Sequence, residues 1–133
     1  MPTDDPSIGF SNKWYPKGYE HAENYTLDDG QTIRILTAPY FLATKLEAFK
    51  GRGGGDGRLS HDFEDIIFVL ENRERLWHEI RICDDEVKAY LVAEFSALMD
   101  NPHIYEWIDC HVERGNIPPQ TATIIGNIKN WLA

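Results

Sequence analysis

The sequence predicts an α+β chain: a short N-terminal β-hairpin, or part of a sheet, followed by a bundle of about five or six helices. Three observations carry that expectation. Residues 25–36 alternate around an Asp-Gly pair, apolar residues recur at helical spacing from residue 40 onward, and Gly, Pro and Asn divide the helical part into segments. With 133 residues and 42% hydrophobic content, there is room for one domain with a packed core. A chain of this size buries roughly two thirds of its unfolded surface. The expected organisation is therefore a single domain over 1–133, with residues 1–37 irregular plus a β element and 38–133 helical.

The elements follow in order. Residues 1–24 read as irregular, with the aromatic "KWYPKGY" as a packing anchor. In "YTLDDGQTIRIL", Tyr25–Leu27 and Thr32–Leu36 read as paired strands, and Asp29-Gly30 supplies the positive φ angles of a tight turn. Ile33 and Ile35 face one side and Arg34 the other. A two-stranded hairpin is marginal alone, which suggests a larger sheet. After Pro39 the period becomes helical: Tyr40–Arg52 carries Phe41, Leu42, Leu46 and Phe49 on one stripe and stops at "GRGGGDGRLS". Ser60 or Asp62 caps the next helix, with Phe63, Ile66, Ile67 and Leu70 as its apolar face. "RERLWHEIRIC" is a short helix. Asp84 or Asp85 caps another, which buries Val87, Leu91, Phe95 and Leu98. In "NPHIYEWIDCHVERG", Asn101 is the N-cap, Pro102 the first position and Gly115 the stop. A last helix follows Pro118-Pro119 with Ile124, Ile125, Ile128, Trp131 and Leu132.

Composition narrows the function classes. Cys83 and Cys110 are too few for a disulfide framework, and both fall in apolar helical patterns, which points to a reducing, cytoplasmic setting. The first residues lack the basic and apolar regions of a signal peptide. No apolar run approaches the length of about 20 residues that spans a bilayer, so no membrane partner is expected. A formal net charge of −9 argues against a general nucleic-acid binder. The charge is uneven, however: Lys45, Lys50, Arg52 and Arg58 outnumber Glu47 and Asp56 between residues 45 and 58. A basic island of this kind suits a small anionic ligand.

The island carries the candidate chemistry. Lys45 lies among Phe41, Leu42, Ala48 and Phe49 on its helix, where a lysine either snorkels to water or directs its ammonium into a cleft that holds phosphate. The loop offers backbone N–H groups at Gly53 and Gly54 beside Arg52 and Arg58, an arrangement like an anion nest. It is not a P-loop, since no Gly-Lys-Ser/Thr follows. Asp62 and Asp65, three residues apart, share one helix face; two such carboxylates cap a helix, bind Mg²⁺ or accept a proton. His61-Asp62 also matches the dipeptide of HD-type phosphohydrolases, although His21 is poorly placed as the upstream histidine that site requires.

Set in order, "PYFLATKLEAFKGRGGGD" and "SHDFEDI" resemble the AbiEii/AbiGii-like nucleotidyltransferases, the toxin-type branch of the polymerase-β-like superfamily. The matching residues are Leu42, Lys45, Leu46, Ala48 and Arg52, then His61, Asp62, Asp65 and Ile66. "IGFSNKWY" and "TIRILTAPYF" look similar too, so the resemblance covers roughly residues 8–75. It implies nucleoside triphosphate or phosphate contact at Lys45 and an active-site role for Asp65 supported by Asp62, beside the phosphate-binding candidates Arg52, Gly53, Gly54 and Arg58 of the loop. The family begins its metal centre with Gly-Ser and Asp-x-Asp, and this sequence contains neither. The resemblance therefore covers the family's C-terminal half only, and the chain is expected to be inactive alone. Mg²⁺ and nucleoside triphosphate would bind only if the missing half were supplied. Loss of that half would expose Ile33, Ile35, Phe41 and Leu42, so a homodimer or a complementing N-terminal chain is the expected partner; an RNA acceptor stays open. The alternative is a non-catalytic interaction module, such as an antitoxin or a regulatory subunit.

Overall fold

A computed structural model of the chain describes residues 14–52, 56–112 and 120–133, without the side chains of Tyr15 and Arg52. Gly53, Gly54 and the Arg52 side chain, like Gly115 and Pro118-Pro119, therefore lie outside the described residues. The architecture is α+β. Helix α1 (Trp14–Glu20) precedes a hairpin of β1 (Glu23–Thr26) and β2 (Thr32–Ile35). The helices that follow are α2 (Ala38–Arg52), α3 (His61–Asn72), α4 (Leu76–Ile82), α5 (Asp85–Met99), α6 (Ile104–Asp109) and α7 (Thr121–Leu132).

Helix α1 corrects the irregular reading of residues 14–20. Its own residues, which include Pro16 and Gly18, give no helical stripe; tertiary packing holds it. Trp14 is buried, with its ring 4.9 Å from Tyr90 and 6.5 Å from Tyr40. A Cβ at Gly18 would stand 2.8 Å from Leu36 Cδ2 and 3.2 Å from Tyr40 Cβ, so glycine lets α1 pack closely on Leu36 and Tyr40 without displacing them. Lys17 adds an ion pair with Glu86 at the start of α5.

The hairpin pairs Glu23 with Ile35, Asn24 with Arg34, Tyr25 with Ile33 and Thr26 with Thr32, antiparallel. Its turn closes with Leu27 N–H to Gln31 O (2.7 Å) and Gly30 N–H to Leu27 O (2.9 Å). Only Gly30 takes a positive φ, 90°; Asp29 instead accepts Gln31 N–H on its side chain at 2.9 Å. Both strands are exposed along their whole length, and among the described residues no third strand joins them. Ile33 and Ile35 are exposed as expected. Leu42, expected to be exposed with them, is buried by α2's own packing.

Helix α2 is the hub, touching α1, α3, α4 and α5. Leu42, Ala43 and Leu46 are almost wholly shielded, and Phe49 packs on Phe63 and Trp107. One apolar cluster runs from Trp14 to Ile128 and draws on all seven described helices. Each fully buried Leu, Ile or Phe contributes about 1.5–3 kcal/mol. Ser60 is the N-cap of α3, its Oγ accepting Phe63 N–H at 3.1 Å, so Asp62 is released from that role. Asp84 stands at the N-cap position of α5 but makes no capping bond. Asn101 caps a turn instead of a helix, accepting His103 N–H at 2.8 Å, and α6 is shorter than the sequence suggested.

Candidate functional site

Helices α2 and α3 bring three of the singled-out residues together. Lys45 Nζ lies 2.8 Å from Asp65 Oδ2 and 3.7 Å from Asp62 Oδ1. The helical rise fixes the rest: Asp62 and Asp65 fall on one face of α3, and that face meets the Lys45 side of α2. Burial differs along the cluster, the Asp62 side chain being 8% exposed, Lys45 26% and Asp65 46%. The ammonium also sits 5.6 Å from the Phe41 ring centroid, within cation–π range. Lys45 thus neither snorkels freely nor points at an empty cleft. It bridges two carboxylates and ties α2 to α3.

Arg58 and Lys50 of the basic island are neutralised locally. Arg58 donates through Nη1 to Glu106 Oε1 (2.9 Å) and through Nη2 to Asp56 Oδ2 (3.1 Å). Hydrogen bonding to Arg58 holds the Asp56 carboxyl below the usual carboxylate range. Lys50 Nζ is 2.7 Å from Glu94 Oε1 and 3.4 Å from Glu47 Oε2. Burial pushes the Lys50 ammonium down, but the bond to Glu94 and the neighbouring acids outweigh it, and its pKa is raised. Arg58 belongs to the end of α6, not to the Lys45 cluster.

That end of the loop is pinned by residues the sequence did not flag. His111 Nε2 lies 2.7 Å from Gly57 O, on an imidazole only 9% exposed. A Cβ at Gly57 would come within 2.7 Å of the Trp107 indole, so this position accepts only glycine. Residues 56–59 are thus a junction fixed against α6 and His111, and Arg58 of the suggested anion nest is engaged by Asp56 and Glu106. A second unflagged cluster joins His21, Tyr40 and Asp84. Tyr40 Oη donates to Asp84 Oδ2 at 3.0 Å, His21 Nε2 lies 3.1 Å from the same oxygen, and the two rings stack at 5.3 Å and 5°. Burial first, and then the bond to Asp84, push the Tyr40 phenol well above its usual pKa. These partners are 44 and 63 residues apart in sequence, and no spacing rule reaches that far.

The Mg²⁺ implied by the resemblance can be tested against the donors. Asp62 and Asp65 both face the Lys45 ammonium, which fills the position a divalent ion would take between them. Among the described residues no group of three or more His, Cys, Asp or Glu is arranged to hold a metal ion. The described donors therefore do not fit a resident Mg²⁺. Nor do His61 and Asp62 converge as an HD-type pair: the His61 side chain is 97% exposed and the Asp62 side chain turns inward. Cys83 and Cys110 form no disulfide, and neither is buried, contrary to the apolar pattern around them. Among the described residues, no helix is long and apolar enough to cross a membrane. No protein-family model, curated protein or solved structure matches this chain.

Proposed function

We propose that the chain carries one half of a nucleotidyl-transfer site, able to contact a nucleoside triphosphate but inactive by itself. The observation that carries this reading is the meeting of Lys45, Asp62 and Asp65, three residues drawn from two helices and singled out by pattern. Asp62 is held inside and keeps the ammonium in place. Asp65 is the exposed end, so a phosphate oxygen can displace it from Lys45 while Asp62 stays. The released Asp65 carboxylate is then free to orient an acceptor hydroxyl or take its proton. Carboxylates for a metal would come from outside these 133 residues, supplied by a complementing chain or a second copy. The exposed hairpin favours such an assembly, because unpaired strand edges invite pairing. Two cysteines outside any disulfide fit a cytoplasmic setting.

The same hairpin supports a second reading, a non-catalytic interaction module. Calorimetric titration with magnesium–nucleoside triphosphate separates the two. The half-site reading expects weak binding, in the millimolar range set by a cluster of net charge −1, and its loss in Lys45→Ala. No heat at millimolar nucleotide, or equal heat from Lys45→Ala, would leave the interaction module.

A further inference from the structure

Two cavities adjoin beside the hairpin. The larger, about 370 Å³, has walls from Tyr25 and Ile35 of the hairpin, Phe41 of α2 and Val69 of α3. The smaller, about 260 Å³, is walled by His21, Ile82, Cys83 and Asp84. Glu23, Thr37 and Glu79 line both, so the cavities meet along these residues. The two ends differ in chemistry. The first is apolar, with Tyr25 56% and Ile35 44% exposed. The second is acidic: Glu23, Glu79 and Asp84 line it, and Arg73, which lines the first cavity, donates to Glu79 at 2.6 and 2.7 Å. Both neighbours of Asp84 approach through Oδ2, on the side of His21 and Tyr40.

We propose that this pair of cavities binds a linear peptide segment of another protein, apolar at one end and carrying Lys or Arg at the other. Shape and charge lead to that occupant. The two cavities adjoin and differ in chemistry, so side chains spaced along one extended chain can fill them in turn. An apolar side chain seats against Tyr25, Ile35 and Phe41, and the basic one reaches Glu23 and Asp84. A second copy of this chain is opposed by its own net charge of −9, which favours a basic partner. None of the described lining residues is Lys45, Asp62 or Asp65, so the proposal stands apart from the nucleotide reading.

The test is fluorescence anisotropy on the full chain with two labelled peptides, Val-Thr-Ile-Ser-Lys-Arg and the same peptide ending in Glu-Glu. The basic peptide is expected to bind, more weakly as salt rises, and the acidic one at least about tenfold less tightly. Glu23→Lys, at an exposed side chain, is expected to weaken the basic peptide by about tenfold without lowering the melting temperature, while Asp84→Asn is expected to weaken it too but with some loss of stability, since Asp84 accepts from Tyr40. Lys45→Ala leaves the peptide result unchanged, which separates it from the nucleotide titration. Equal binding of both peptides, binding of neither, or a dimer dissociated by Ile35→Glu would overturn the proposal; the last result would make a second copy the occupant.

Discussion

The hairpin and the α2–α3 pair are built on opposite terms. In α2 and α3 the chain buries Leu42, Leu46, Phe63 and Ile66 almost completely, and its charges meet across the interface. In the hairpin every strand residue is exposed, and the backbone ladder of two short strands is its main local support. Burial energy therefore resides in the helices, while the surface open to a partner resides in the hairpin. The two proposed sites fall along the same line, a charged cluster held between helices and an apolar–acidic groove beside the strands.

The sharpest way to break this contrast is in the core. Phe95→Ala is expected to cost about 3–5 kcal/mol in denaturant unfolding, because the side chain is wholly buried. Next comes pH. The phenols of Tyr40 and Tyr90 are both raised, by burial first and then by hydrogen bonds to Asp84 and Glu47. A raised phenol stabilises the fold fully below the unfolded value of about 10 and loses that contribution as pH rises above it. Melting followed from pH 8 to 11 should be flat and then fall, by up to about 1.4 kcal/mol per pH unit for each phenol. Tyr90→Phe should shallow the fall. Lys45→Ala is expected to cost about 1–2 kcal/mol, since it removes a partner of the buried Asp62, and Lys45→Arg should recover part of it. Ser60→Ala, which deletes the α3 cap, should cost about 1 kcal/mol. Ile33→Thr on the hairpin should change stability by less than about 0.5 kcal/mol. A hairpin change as costly as a core change would erase the distinction.

The helical part was legible because burial follows period: Phe63, Ile66, Ile67 and Leu70 fall where a 3.6-residue repeat puts them. Lys45, Asp62 and Asp65 were legible as types on faces, and the structure shows which faces meet. The fate of each charge was not legible. Arg58 is turned aside by Glu106, a residue 48 positions away, and Lys50 by Glu94, 44 positions away. Helix α1 was hidden for the same reason, since its stability comes from Trp14 on Tyr90 and not from its own residues. Asn101 misled because Asx side chains cap turns as readily as helices.

One measurement bears most directly on the division of labour. Backbone amide spectra of the whole chain would be followed during titration with magnesium–nucleoside triphosphate, in the native chain and in Asp65→Asn. The account expects shifts confined to α2 near Lys45 and to the first turns of α3, altered in Asp65→Asn, with the hairpin undisturbed. Shifts centred on the hairpin groove, or no shifts at millimolar nucleotide, would contradict it.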